Sequence, residues 1–262
     1  MGLKLNDVPA AAGLRWVTLA ATEYFRHPLA YTALFMSFLL ALLLAMALPA
    51  VGGLLLLVVP PLLSLGFMMA AHASQKGAPP RLGVFAVPWK RQVPDRRRAL
   101  LALLLVYAAL VAGTMWLGQA LSDGGLGQWF AAYAKGDTPA EELNRLSELP
   151  GVAAGMLWCV ALIALISLVF WFSPALVLWA GQGPAQAMFS SALALWRAKG
   201  AFLNYGLLWV GASVAMFVLG SLLGALAGPA VAALLIAPVN LAVTCMFYIS
   251  LYFSFRDCFG EP

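Results

Sequence analysis

Four long runs of this 262-residue chain contain no Asp, Glu, Lys or Arg, and they constrain its fold more than any other feature. The runs cover residues 27–75, 99–122, 149–196 and 200–255. About 20 apolar residues suffice to cross a bilayer, so the first and last runs are each long enough for two crossings. Charged residues make up only 10% of the chain, against roughly 25% in soluble domains. The sequence therefore predicts a polytopic membrane protein and argues against a soluble enzyme or a nucleic-acid binder.

Proline and glycine divide these runs into separate helices. The segments 49–53 and 228–229 predict tight turns, because both residue types interrupt helices. Pro60 and Pro61 fall inside one predicted span, where they remove two backbone donors and predict a kink. The predicted fold class is all-α, a single integral membrane domain over residues 1–262 with hairpin pairs and interfacial elbow helices. The six predicted transmembrane helices cover residues 29–48, 54–73, 99–121, 151–172, 202–226 and 230–255.

The distribution of basic residues predicts the orientation of these spans. Six crossings place both termini on one side of the membrane. That side holds 13 of the 15 Lys and Arg residues, seven of them in a basic loop at 74–98. The other side holds Lys135, Arg145 and five acidic residues, all in the loop 122–150. The positive-inside rule therefore predicts cytoplasmic termini and a periplasmic loop 122–150.

Two amphipathic segments are predicted to lie in the membrane interface, each directly before a span. Residues 8–26 follow Asp7, a suitable helix N-cap, and place Leu14 and Phe25 on an apolar arc with Glu23 on the opposite, polar arc. Residues 184–199 place large apolar side chains, including Trp196, on one face. A weaker third elbow is predicted at residues 82–91.

An elbow followed by a hairpin occurs at both ends of the chain, which predicts a parallel internal repeat. Residues 49–55 and 229–235 support it, because they are identical at five of seven positions. Chance similarity in a sequence rich in Ala and Leu is the alternative. In the loop 122–150, Thr138 and Glu141 predict a capping box. This loop is interpreted either as a lid over a cavity or as a cover that seals the bundle.

The chemistry available inside the spans is limited to mild polarity. No predicted span contains Asp, Glu, Lys or Arg, which argues against ion-coupled transport, and no catalytic motif is present. We therefore expect neither enzymatic activity nor a cofactor or metal site. The uncharged polar side chains either converge on a cavity or form separate bonds between helices. The candidates for facing inward are Ser64, Tyr107, Thr114, Gln119, Ser167, Asn204, Tyr205, Asn240, Thr244 and Tyr248. The decisive question is whether Asn240, Gln119, Asn204 and Tyr205 converge on one space.

Two further groups of residues are candidates for binding. A basic cluster at the cytoplasmic interface is predicted to contact anionic lipid headgroups; it consists of Lys90, Arg91, Arg96, Arg97 and Arg98. Small residues at four-residue spacing allow another helix to approach closely. Gly220, Gly224 and Gly228 form such a ladder, and it faces a helix of the same chain, a second copy or a membrane-protein partner.

Several segments resemble a family of uncharacterised six-span bacterial inner-membrane proteins. They are PLLSLGFM (61–68), Gly77 with Pro79-Pro80 and Phe85-Ala86, FSPALVLW (172–179), AMFS (187–190), residues 196–206 and FRDCFG (255–260). The layout of elbows and hairpins is also similar to the membrane domain of some glycerophosphoryl diester phosphodiesterases, whose catalytic domain has no counterpart in this sequence. The resemblance implies a multi-pass protein of the bacterial inner membrane and supplies no functional residues.

These observations favour a non-enzymatic scaffold or accessory factor that engages lipids or a membrane partner. The alternative is a passive or lipid-handling permease, in which the Pro60-Pro61 kink and Asn240 frame a central cavity. In both cases the expected surroundings are the phospholipid bilayer, and no nucleic acid is expected as a partner.

Overall fold

The computed structural model describes residues 5–46, 51–89 and 94–262, and every regular element in these ranges is helical. The first elements are α1 (Ala12–Arg26), α2 (Pro28–Met46), α3 (Val51–Gln75), a 3-10 helix (Leu82–Trp89) and α4 (Pro94–Leu121). The middle of the chain forms α5 (Gly125–Lys135), α6 (Ala140–Ser147), α7 (Val152–Phe170) and α8 (Ser173–Ala180). The last elements are α9 (Pro184–Arg197), α10 (Lys199–Ala227) and α11 (Pro229–Phe259). The predicted turn at Pro49-Ala50 lies outside the described residues.

Five stretches of helix in the described ranges are long and apolar enough to cross a membrane. They lie in α3, α4, α7 with α8, α10 and α11. α1 and α2 satisfy the same criterion only when they are taken together, and they are bent by 96°. The bend falls at His27, beside Pro28, because a residue before proline is disfavoured in helical conformation. The predicted all-α, multi-pass membrane fold is confirmed.

Each elbow packs on a different helical hairpin. The elbow α1 lies on α10 and α11, the 3-10 helix on α3, and α9 on α7 and α4. Phe85 anchors the 3-10 helix, since its ring lies 5.3 Å from that of Phe38 and covers Gly66 of α3. The hairpins are α2–α3, α4–α7 and α10–α11. The 3-10 helix and α9 each pack on the hairpin that precedes them in the chain. α1 precedes the first hairpin and packs on the last one, so the three elbows connect the three hairpins in a closed cycle, called the elbow cycle below.

The core is concentrated at the end of the bundle where the chain begins and ends, which we call the termini end. The Asn6 backbone N–H donates to the Cys258 carbonyl at 2.8 Å. All seven residues 249–255 of α11 are buried there. α10, in contrast, buries only Ala201 and Tyr205. The opposite end, which carries α5 and α6, is called the loop end below. The bundle is thus tightly packed at the termini end, and α10 is largely exposed.

The faces of the elbows differ from the predicted ones. In α1 the buried face is formed by Trp16, Ala20, Glu23 and Tyr24, whereas Phe25 is 69% exposed. Hydrophobic periodicity separates apolar from polar arcs, but in a membrane protein the apolar arc meets lipid while small or polar side chains pack on protein. The placement of Glu23 on an exposed polar arc was therefore wrong.

The N-cap prediction for α1 was also wrong. α1 begins at Ala12 without a side-chain cap. Asp7 instead pairs with Arg197 at the end of α9. This ion pair joins the N-terminal arm to α9, so Asp7 connects two parts of the chain and does not cap the start of α1.

The loop-end helices cover the α4–α7 hairpin. Leu126 of α5 packs with Val152 and Cys159 of α7 in a small separate core. α6 begins without a side-chain cap, because the Thr138 hydroxyl donates to the Ala132 carbonyl at 2.6 Å. The predicted capping box at Thr138 was therefore wrong.

Two element boundaries extend beyond the predictions. α4 begins at Pro94, so the last residues of the predicted loop 74–98 belong to this helix. α8 occupies the start of the predicted connection 173–200, and its residues 173–178 are buried. α8 ends at Ala180, and the next residue, Gly181, adopts the left-handed conformation that terminates the helix.

Candidate functional site

A cavity of about 250 Å³ lies inside the bundle beside the double proline of α3. Pro60 and Pro61 stand near the middle of α3, and Tyr107 stands near the middle of α4. The two prolines leave the carbonyls of residues 56 and 57 without their usual helical donors. The cavity is partly open to the outside. Its lining residues are Pro60, Pro61, Ser64, Tyr107, Ser167, Phe170, Trp171, Phe247, Tyr248 and Leu251.

The wall of this cavity is apolar and aromatic, with a few hydroxyl groups. The lining residues carry no formal charge at neutral pH. The Ser64 hydroxyl donates to the Pro61 carbonyl at 3.0 Å, so it is already engaged within its own helix. Phe247 is held between Trp171 and Trp209, at centroid distances of 6.0 Å and 5.5 Å. Apolar walls with few polar groups are typical of sites that bind hydrophobic ligands.

Of the polar residues selected from the sequence, Ser64, Tyr107, Ser167 and Tyr248 line this cavity, whereas Asn240, Gln119, Asn204 and Tyr205 do not. The Tyr205 hydroxyl forms a buried hydrogen bond of 2.7 Å with Ser250. Asn204, one position away, donates to the Ala10 carbonyl at 3.0 Å. Gln119 accepts from the Gly127 backbone N–H at 2.9 Å and so satisfies a donor at the start of α5. Asn240 lies in a separate groove between α10 and α11.

The basic cluster is divided between structural and exposed positions. Arg96 donates to the Leu178 carbonyl at 2.7 Å, at the end of α8, where a cation stabilises the helix dipole. Arg97 and Arg98 are exposed on the first turn of α4. Lys90 and Arg91 lie outside the described residues. Arg96 therefore fixes α8 against α4, and Arg97 and Arg98 are the described residues that are available to headgroups.

A buried carboxylate at the termini end was not anticipated. The Glu23 side chain is 1% exposed. It accepts from the Tyr31 hydroxyl at 3.0 Å and from the Gln75 amide at 2.7 Å, and Arg26 lies 3.9 Å away. The signal was available in the sequence, because Glu23 follows Trp16 by seven residues and shares its face. The network fastens α1 to both helices of the first hairpin.

The glycine ladder lies along the α10–α11 hairpin. Gly220 faces Ile236, and Gly224 faces Ala232, at 3.8 and 3.9 Å from an added Cβ. Gly228 forms the turn, with φ of +88°. The small residues of α10 thus allow α11 of the same chain to approach. A partner bound through Gly220, Gly224 and Gly228 stays a prediction.

Comparison with known proteins identifies a relative along the whole chain. A probable inner membrane protein of Burkholderia thailandensis is 33% identical over 265 aligned residues, which cover 99% of this chain and 96% of the relative. No family model matches the chain, and no solved structure matches it. The similarity to the phosphodiesterase membrane domain therefore stays a prediction.

Proposed function

Since the chain belongs to the same family as the probable inner membrane protein of Burkholderia thailandensis, we propose that it is a non-enzymatic accessory protein of the inner membrane that binds lipid. In this proposal the cavity beside Pro60 and Pro61 accommodates part of a lipid hydrocarbon chain. The cavity is the observation that carries the proposal, because it is apolar, uncharged and near the middle of the spanning helices. Its volume suits a chain segment rather than a whole phospholipid.

The elbows support the same proposal from the outside of the molecule. Trp196 of α9 is 71% exposed and Phe189 is 68% exposed, while the small residues of this helix pack inward. Large apolar side chains on an interfacial helix enter the acyl-chain boundary. At the termini end, exposed Arg97 and Arg98 each contribute about 1 kcal/mol of attraction to anionic headgroups. In the proposed topology, the termini end faces the cytoplasm.

Native mass spectrometry of the protein in polymer-extracted nanodiscs tests the proposal. Ser167 lines the cavity, whereas Ala161 is exposed on the same helix α7. Ser167→Phe fills the cavity and is expected to remove a lipid that the wild-type protein retains. Ala161→Phe adds a side chain of the same kind on the lipid-facing side and is expected to retain that lipid. A wild-type protein that retains no lipid contradicts the proposal, as does equal retention by the Ser167→Phe variant.

The second candidate is a passive lipid-handling permease, which the position of the double proline favours. A helix with two missing backbone hydrogen bonds deforms more easily beside the cavity it lines. The loop-end helices α5 and α6 contribute no lining residue, so a lid role for this segment gains no support from the cavity. Proteoliposomes with fluorescent lipid in one leaflet distinguish the candidates. A permease accelerates exchange between leaflets, whereas an accessory protein that only binds lipid does not.

A further inference from the structure

An unusual groove lies on the lipid-facing side of the α10–α11 hairpin. Its volume is about 510 Å³, and it carries polar side chains although it is open to the membrane. The most apolar stretch of α10 buries no residue inside the molecule, so this side of the helix is exposed. The groove residues are Ser213, Met216, Phe217, Gly220, Ser221, Ile236 and Asn240.

Asn240 is unusual for this surface, because it exposes a polar amide on a side of the hairpin that faces the membrane. Its side chain is exposed, and its amide forms no hydrogen bond with the described residues, although Ser221 lines the same groove. Its backbone carbonyl accepts from the Thr244 hydroxyl at 2.8 Å, and Ser213 donates to the Trp209 carbonyl at 2.9 Å. These hydroxyls are thus engaged within their own helices, while the Asn240 amide keeps its donors and its acceptor.

The depth of Asn240 makes this arrangement costly in a monomer. Asn240 follows the first residue of α11 by 11 positions, which is about 16 Å from the loop end at 1.5 Å per residue. The hydrocarbon core is about 30 Å thick, so the amide stands near its middle. Lipid tails offer no hydrogen-bond partner at that depth. Besides the hydroxyls of Ser213 and Ser221 in the same groove, a polar group at this depth can come from a helix of another chain.

From this groove we infer that the protein forms a two-fold symmetric dimer, with Asn240 of each copy bonded to Asn240 of the other. An amide is its own complement, because it carries both donors and an acceptor. A two-fold axis places the same residue of both copies opposite each other. The groove around Asn240 leaves room for part of the second hairpin to approach. The inference is independent of lipid binding in the cavity beside Pro60.

Counting of photobleaching steps tests the dimer. The full chain, labelled at its C terminus, is reconstituted into liposomes over a range of protein densities. The wild-type protein is expected to dimerise, and Asn240→Leu is expected to raise the density at half-dimerisation by about three- to thirty-fold, the range for an interhelical hydrogen bond. Val239→Leu is the matched control, because Val239 is exposed beside Asn240 and outside the groove. It is expected to leave dimerisation unchanged.

Cysteine crosslinking gives an independent geometric test. Asn240→Cys is expected to form a disulfide-linked dimer under mild oxidation, and Val239→Cys is not. The native Cys159, Cys245 and Cys258 are buried and provide little background. A wild-type protein that bleaches in one step at every density overturns the inference. So does equal dimerisation by Asn240→Leu, or a groove occupied by co-purified lipid or another protein in place of the second copy.

Discussion

Glu23 stands where a carboxylate is expensive to bury, and its neighbours explain how it is tolerated. The side chain is enclosed between α1, α2 and α3, with hydrogen bonds from Tyr31 and Gln75. Burying a charged group is costly unless it is hydrogen-bonded. Because the two donors come from different helices, Glu23 joins the elbow to both helices of the first hairpin.

Removing this acceptor is expected to destabilise the protein. Glu23→Ala leaves the Tyr31 hydroxyl and the Gln75 amide buried without their partner, at about 1–3 kcal/mol for each unsatisfied group. Glu23→Gln retains one acceptor and is expected to lose less. The free energy of unfolding is measured by steric trapping in bicelles. Exposed Glu148→Ala is the control and is expected to unfold like the wild-type protein. Equal stability of Glu23→Ala and Glu148→Ala excludes the role given to Glu23.

Residue types predicted the class of the protein but not its individual contacts. The absence of charges from four runs located the spans, because charge is costly in lipid whatever the neighbouring helices are. Asn204 and Tyr205 are adjacent in sequence, yet one bonds to the N-terminal arm and the other to Ser250 in the core. Such partners depend on how the helices pack, which hydrophobic periodicity does not report.

At the scale of elements, α1 docks on α10 through a close backbone approach. A Cβ on Gly13 would stand 2.4 Å from the Ala201 carbonyl oxygen and 2.7 Å from the Tyr205 nitrogen. Trp16 adds an indole hydrogen bond of 2.7 Å to Asp257 near the end of α11. The elbow is therefore fitted to the last hairpin by shape as well as by polar contacts.

Gly13→Ala is expected to push α1 away from α10, since the obstructing atoms are backbone and do not move aside as a side chain would. Overpacking of this kind costs about 1–3 kcal/mol. Gly211→Ala in α10 is the control, because an added Cβ there meets nothing within 4 Å, and it gains up to about 1 kcal/mol of helix propensity. Thermal unfolding in detergent compares the two variants. A melting temperature for Gly13→Ala at or above that of the wild type contradicts the close approach.

Some elements were beyond prediction for physical reasons. α8 follows α7 after a short break at residues 171–172 and is buried, but its short apolar sequence with Ser-Pro at the start reads equally well as a connection. The elbows were found through their amphipathic pattern. The packing partners of the elbows were not predicted, because an apolar residue can face either lipid or protein. In α9, Trp196 is exposed and Ala194 is buried.

For the whole molecule, the end of the bundle that carries most of the basic residues is also the end that is most densely packed. The elements of the termini end carry five arginines, namely Arg15, Arg26, Arg97, Arg197 and Arg256. The acidic loop 122–150 forms the loop end. Cytoplasmic loops carry the excess of Lys and Arg. The densely packed half of the bundle would then be the cytoplasmic half, and the sparsely packed half of α10–α11 would extend to the periplasmic side.

Reporter fusions test this orientation directly. Green fluorescent protein fused after Pro262 is expected to fluoresce, because it folds on the cytoplasmic side. Alkaline phosphatase inserted at Gly136, between α5 and α6, is expected to be active, because it requires the periplasm. Fusions of the two reporters in exchanged positions serve as controls and are expected to be silent. Activity of the phosphatase at the C terminus would reverse the topology.

The closure of the elbow cycle by α1 fixes an order of assembly during synthesis. Trp16 and its acceptor Asp257 are separated by 241 positions, and translation proceeds at about 5–20 residues per second. The first helix to leave the ribosome therefore waits roughly 12–48 s before the helix that receives it exists. During that interval Trp16 lacks its native contacts with Phe202 of α10 and Asp257 of α11. The N-terminal elbow consequently completes its native packing only after α11 has been made, and a chain truncated before α11 lacks that packing.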